Sequence, residues 1–184
     1  MQSKLYLDVD DVILDTAKYV RARAKEDNLE VPENKSIYGA IPPEVQQLYL
    51  SEYEKIPFKN TFSYYIGRVK SLFDKVTLIS EYYSEGERDS KLKKMSSLFA
   101  PDQICLIDAR LSRKYEKDLS DGILVDDNVT ILDKVKAKRK ICFWCPDTSI
   151  WNYNGDIVKN NHKVIYTWSD LYAELLVEKI LLFW

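Results

Sequence analysis

The sequence predicts an α/β protein with a mostly parallel sheet covered by helices on both faces. Three observations carry this. Short apolar runs rich in β-branched residues alternate with segments of helical periodicity along most of the chain. Several of these runs are apolar at successive positions, as strands buried on both faces are. Two of them end abruptly in aspartates, and carboxyl ends of parallel strands are where such sheets bind ligands.

The first run, Lys4-Leu5-Tyr6-Leu7, releases four aspartates within eight residues: Asp8, Asp10, Asp11 and Asp15. Like charges so close raise one another's pKa, and a divalent cation with a preference for oxygen ligands is the usual remedy. A helix follows from Thr16 to about Asp27, with Ala17, Val20 and Ala24 on one face and basic residues on the other. Positions 28 to 43 read as a loop with three prolines and a glycine. Pro43 to Tyr53 reads as a second helix with proline in its first turn. Neither segment resembles the next strand of a parallel sheet, so residues 17–60 form a helical insertion, and residues 1–16 and 61–184 the core.

A third helix, about Ser63 to Phe73, leads into the strand Lys75-Val76-Thr77-Leu78-Ile79-Ser80, which ends in a hydroxyl. Residues 81 to 86 read as loop, and Asp89-Ser90 as the cap of a basic amphipathic helix reaching Phe99. Gln103 to Asp108 is a third strand. Gly122 to Asp126 is a fourth, ending in Asp126-Asp127-Asn128 and followed by a helix from Val129 to Lys136. Lys140 to Trp144 and Lys163 to Tyr166 complete the strands. Ser169 caps a terminal helix from Asp170 to about Leu182.

Bulk properties exclude several classes. The 184 residues hold 27 basic and 29 acidic side chains, a net charge of −2, so charge gives no footprint for nucleic acid. No apolar run reaches membrane-spanning length, and Met1 to Lys4 leave no room for a signal peptide before the first strand. Three cysteines and one histidine argue against a disulfide framework or a zinc site. Cys142 and Cys145 have CxxC spacing without a second pair and read better as buried thiols. The expected compartment is the cytoplasm. Neither a dinucleotide-binding nor a P-loop glycine pattern occurs.

Asp8-x-Asp10-x-Val12-x-x-Asp15-Thr16 after an apolar strand resembles motif I of the haloacid dehalogenase (HAD) superfamily of phosphatases, with Asp11 where the family often has glycine. Ser80, Lys114 and the Asp126-Asp127 pair stand in the order of the family's motifs II, III and IV; Lys91, Arg113 and Lys117 are rivals for the third. The short helical insertion, paired aspartates and Trp168-Ser169-Asp170 are most similar to the 5′(3′)-deoxyribonucleotidase group. The resemblance implies a Rossmann-like three-layer sandwich with a small helical cap and a Mg²⁺-dependent phosphomonoesterase acting on nucleoside (deoxyribo)monophosphates. It implies Asp8 as nucleophile, Asp10 as general acid and base, and Ser80 and Lys114 as phosphate ligands. Metal ligation falls to Asp8, the carbonyl of Asp10 and Asp127, with Asp126 orienting Lys114 or a bound water; the two neighbours could exchange roles. Tyr19, Tyr38, Tyr49 and Tyr53 on the insertion are candidates to stack on a base, with packing of the cap against the core the commoner role for any one such ring. The partner is then a small phosphate monoester, with a homodimer left open. Two alternatives stand beside this reading: a HAD phosphatase for another phosphoester such as a sugar phosphate, and a non-catalytic binding domain of the same fold.

Overall fold

In the computed structural model the described residues are 3–31, 40–144 and 162–181. They form six strands and six α-helices: β1 (Lys4–Leu7), α1 (Thr16–Glu26), α2 (Pro43–Leu50), α3 (Phe62–Leu72), β2 (Lys75–Tyr82), α4 (Glu85–Met95), β3 (Ile104–Asp108), β4 (Asp118–Asp126), α5 (Val129–Lys134), β5 (Lys136–Phe143), β6 (Lys163–Ile165) and α6 (Trp168–Leu181). Short 3₁₀ turns at Tyr53–Lys55, Pro101–Gln103 and Lys114–Glu116 complete the set.

The strands make one sheet in the order β3-β2-β1-β4-β5-β6, every pairing parallel. β1 is central, with Leu5 opposite Val76 on one side and Ile123 on the other. The order reverses direction at β1, which opens a crevice beyond the carboxyl ends of β1 and β4.

Side chains divide between the two faces with strand periodicity. Leu5, Leu7, Leu78, Ile123, Val125, Ile141 and Phe143 join the larger core, where α1, α3 and α6 supply Val20, Phe62, Val69, Trp168 and Leu171. Ile79, Leu124 and Cys142 face the opposite core with Ile131, Leu132 and Val135 of α5 and the residue after it. The predicted three-layer α/β arrangement is therefore the observed one.

Several boundaries differ from the sequence reading. α4 starts at Glu85, not Asp89; Ser84 is its cap and accepts from the Glu87 amide at 3.2 Å. Ser169 lies inside α6; the capping oxygen is that of Thr167, which accepts from the Asp170 amide at 3.1 Å. In both cases a nearer Ser or Thr reaches the free amides first. β2 continues through Glu81 and Tyr82 because β3 pairs with them. β4 and β5 begin earlier than expected, at Asp118 and Lys136, pairing through a register shift between Leu119 and Ile123. Lys136 thus belongs to β5 instead of the preceding helix. Cys142 is buried in β5, as a structural thiol would be, and Cys145 lies outside the described residues.

Gly122 sits where β1 and β4 approach most closely. A Cβ there would stand 2.7 Å from the Lys4 carbonyl oxygen and 2.7 Å from the Tyr6 ring. Gly122→Ala should therefore destabilise the protein by about 1–3 kcal/mol, the usual cost of overpacking. Thermal unfolding would show a melting temperature lower by several degrees, at about 2–4 °C per kcal/mol for a chain of this size.

Candidate active site

The loop after β1 is shaped by its own backbone and by distant segments. The Asp8 amide donates to the Val125 carbonyl at 3.0 Å, which fixes Asp8 beside the end of β4. The amides of Ile13 and Leu14 both donate to the Val9 carbonyl at 3.0 Å. Asp11 takes a left-handed conformation at φ 54°, tolerated by aspartate among the few non-glycine residues that adopt it. The Trp168 indole N–H, fully buried, donates to the Val12 carbonyl at 2.8 Å. Lys59 holds Asp15 at 2.8 Å from the other side.

This loop presents Asp8 and Asp10 to a cavity of about 390 Å³. Ser80, Lys114, Asp127 and Asn128 border it from the ends of β2 and β4 and the turn before β4. Pro43, Gln46, Gln47 and Leu50 of α2 and the nearby Tyr53 form the opposite wall. Residues 70 to 120 positions apart in sequence thus meet at one sheet edge.

Lys114 is almost wholly buried, and its ammonium lies 2.8 Å from Asp8 Oδ1 and 2.6 Å from Asp126 Oδ2. Desolvation disfavours its charge, but the Asp126 and Asp8 carboxylates outweigh that and raise its pKa. Asp126 also accepts from the Asn128 amide at 2.9 Å. Among the rivals, Arg113 forms a two-pronged pair with Glu81 at 3.0 and 2.9 Å, and Lys117 is exposed. Glu81 additionally accepts from the Lys114 amide at 2.6 Å and so fixes the turn that carries the lysine.

Lys91 occupies a different place. Its fully buried ammonium donates to Asp10 Oδ2 at 2.8 Å, Ser80 Oγ at 3.1 Å, the Glu81 carbonyl at 2.6 Å and Glu87 at 3.3 Å. The other Asp10 oxygen accepts from Tyr53 at 2.5 Å and Thr16 at 2.8 Å. Burial alone would raise the Asp10 carboxyl; Lys91, Tyr53 and Thr16 reverse that and hold it below its ordinary value.

The remaining carboxylates are not so relieved. Burial pushes Asp8 up to about 7, with Lys114 opposing and Asp126 and Asp10 adding to it. Burial also raises Asp127, and Asp11, Asp126 and Asp8 push it further. Asp8, Asp126 and Asp127 each bring an oxygen within 4.8 Å of the others, all buried. Clustered hard oxygen donors that repel one another fit a divalent cation, which would favour their ionised forms.

The candidate base platform is distributed otherwise than the sequence suggested. Tyr19 donates to Glu52 at 2.7 Å and Tyr49 to Asp27 at 2.5 Å; neither borders the cavity, because these acids on neighbouring segments hold their hydroxyls. Tyr53 borders it but is fully buried and tied to Asp10. Tyr38 lies outside the described residues. The ring exposed at the cavity is Tyr83, just beyond β2, which is not among the sequence candidates, nor are Glu81 and Glu87; Thr16 is there only as the last residue of the first motif. Only the Glu87–Lys91 pair had a sequence signal, its i,i+4 spacing.

No family model and no curated relative matches the chain. Solved structures do. A HAD family hydrolase from Deinococcus radiodurans with bound phosphate and sodium aligns over 96% of this chain and 95% of its own, with 12% identity and a TM-score of 0.61. A HAD hydrolase of family IA, variant 3, from Entamoeba histolytica covers 98% and 99% at 15% identity and a TM-score of 0.57. A Bacillus subtilis protein grouped with the HAD hydrolases and bound to magnesium covers 95% and 98% at 13% identity and a TM-score of 0.54. The fold is the HAD hydrolase fold. Within it, the ends of β1, β2 and β4 carry Asp8, Ser80 and Asp126-Asp127, Lys114 stands on the turn before β4, and α1 and α2 lie between β1 and β2. Among the described residues no helix is long and apolar enough to cross a membrane.

Because a cation would relieve the acidic cluster only in the folded chain, Mg²⁺ should raise the melting temperature. Saturation at a hundredfold excess over Kd corresponds to about 2.7 kcal/mol. Asp127→Asn should remove this metal-dependent shift while leaving the metal-free protein as stable or more stable, read by thermal unfolding with and without Mg²⁺. A retained shift would place the cation elsewhere.

Proposed function

We propose that the protein is a Mg²⁺-dependent phosphomonoesterase working through an aspartyl-phosphate, with nucleoside monophosphates as its substrate class. The observation that carries the reaction type is the buried Lys114 ammonium bridging Asp8 and Asp126 at the mouth of a cavity that Asp127 and Ser80 also border. A phosphate dianion repels nucleophiles, so attack by a carboxylate needs positive charge arranged in advance around the phosphoryl oxygens.

In this reading Lys114 holds Asp8 by Oδ1 and offsets the charge of the incoming phosphoryl group. Asp8 attacks phosphorus, the bond to the leaving oxygen breaks, and Asp10, driven towards its protonated form by the phosphate dianion against the pull of Lys91, gives that oxygen its proton. Water then attacks the acyl phosphate while Asp10 takes a proton back, and Asp8 is freed. Ser80 donates to a phosphoryl oxygen. Asp8, Asp127 and the carbonyl of Asp10 would hold the metal, which supplies charge neutralisation at the phosphate. Asp126, engaged by Lys114 and the Asn128 amide and not bordering the cavity, orients the lysine. Residues 17–60 act as a small cap over the site; α2 supplies its wall and excludes water.

Support for a nucleotide comes from the far side of the cavity. Tyr83 offers a ring face, and Gln46 and Gln47 of α2 offer amide donors and acceptors of the kind that read a base. The same amide-lined wall favours a second reading, a sugar phosphate. A panel of ribo- and deoxynucleotides and sugar phosphates separates the two by kcat/KM. Tyr83→Ala should cost a nucleotide about 1–3 kcal/mol, roughly 5- to 150-fold, and spare p-nitrophenyl phosphate. A sugar phosphate at the top of the panel would overturn the nucleotide assignment and leave the reaction type standing.

Chelator should abolish turnover and Mg²⁺ restore it. Asp8→Asn should eliminate activity with the fold intact by circular dichroism; a rate within about tenfold of the unchanged protein would mean that another group attacks.

A further inference from the structure

We propose that Lys91 is a positioning residue for Asp10, fixing from behind the cavity wall the carboxyl group that exchanges a proton with the leaving oxygen. The inference rests on the phosphatase reading above. Lys91 does not border the cavity, whereas Asp10, Ser80, Glu81 and Glu87, its four partners, all do. It can therefore act on a substrate only through them.

Of the two carboxylates among these partners the geometry selects Asp10; the Glu81 carbonyl is nearer still, at 2.6 Å, but a main-chain carbonyl exchanges no proton. The ammonium is nearer Asp10 Oδ2, at 2.8 Å, than Glu87, at 3.3 Å. Among the described residues the Ser80 hydroxyl also donates to Oδ2, at 3.3 Å, a long bond. Lys91 is thus the strong tether on one oxygen, while Tyr53 and Thr16 hold the second. Removing it frees the carboxyl to turn about the Oδ1 contacts.

A structural role alone is a poor account of this lysine. Glu87, Lys91 and Met95 share the buried stripe of α4, and apolar side chains at 87 and 91 together would pack there without a buried charge pair to satisfy. A buried ammonium is retained at a cost in desolvation that apolar replacement avoids.

The test uses the dependence on leaving group. Alcohol leaving groups need the Asp10 proton as the phosphorus–oxygen bond breaks; p-nitrophenolate departs without it. Lys91→Met should lower kcat/KM by about 10²-fold for adenosine 5′-monophosphate or glucose 6-phosphate, whichever the unchanged protein hydrolyses faster. For p-nitrophenyl phosphate, kcat/KM should stay within about threefold, because it reports only steps up to the first bond cleavage. Asp10→Asn should lose the alkyl substrate at least as strongly, and adding Lys91→Met to it should cost that substrate little more, as two residues acting through one proton transfer must. If Lys91→Met fails to fold, Glu87→Gln with Lys91→Met removes both buried charges and serves in its place. Equal losses on aryl and alkyl substrates, no loss on either, or full additivity with Asp10→Asn would overturn the role. Absence of hydrolysis of all three substrates by the unchanged protein with Mg²⁺ would instead overturn the phosphatase reading, and this role with it.

Discussion

Carboxylates crowded into a dry sheet edge are the constraint around which the rest of this structure is arranged. Asp8, Asp126 and Asp127 have oxygens within 4.8 Å of one another, and Asp10 and Asp11 stand on the same loop. In a low-dielectric site such a group cannot all stay ionised without compensation. Two buried ammoniums divide the task. Lys114 sits between Asp8 and Asp126, and Lys91 between Asp10 and Glu87. Each ammonium is in turn located by Glu81, through the Lys114 amide and through its own carbonyl to Lys91. One residue at the end of β2 therefore sets the spacing of both cationic centres.

The tethers have unequal provenance. Asp10 is held from three directions: by Thr16 of α1, by Tyr53 of the segment after α2, and by Lys91 of α4. The helical segment between β1 and β2 thus contributes hydrogen bonds to the loop that it covers, as well as a wall. Rigid support of this kind is what a reacting constellation requires, since small misplacements of a proton donor are costly.

Much of this was legible in the sequence where the information is local. An apolar run ending in aspartates announces a strand and its loop within a dozen residues, so Asp8, Asp10, Ser80 and Asp126-Asp127 could be assigned to strand ends before their convergence was visible. Lys114 needed its place between β3 and β4 to stand out from other lysines. Lys91 stood out only as a rival to Lys114, and its place beside Glu87 and Asp10 could not be read, because an i,i+4 pair on a charged helix is nearly always a solvated face. Only the packing of α4 against β2 and the turn after α2 turns that face inward. The tyrosines failed for a related reason: composition near the site says nothing about which hydroxyl finds an acid. Tyr19, Tyr49 and Tyr53 each found one, whereas Tyr83 kept an exposed ring. Helix starts at Ser84 and Thr167 were missed because competing polar residues lay a few positions away.

The bond from the Trp168 indole to the Val12 carbonyl joins positions 156 residues apart. A nascent chain makes its first strand and aspartate loop long before α6 exists, so this bond waits for a segment that follows β6. Contacts of such separation form late and slowly. This anchor of the acidic loop is therefore absent until α6 forms, and a chain lacking α6 would keep every charged residue of the site with the loop held by Lys59 and by the Val9 and Val125 carbonyls and no longer at the Val12 carbonyl.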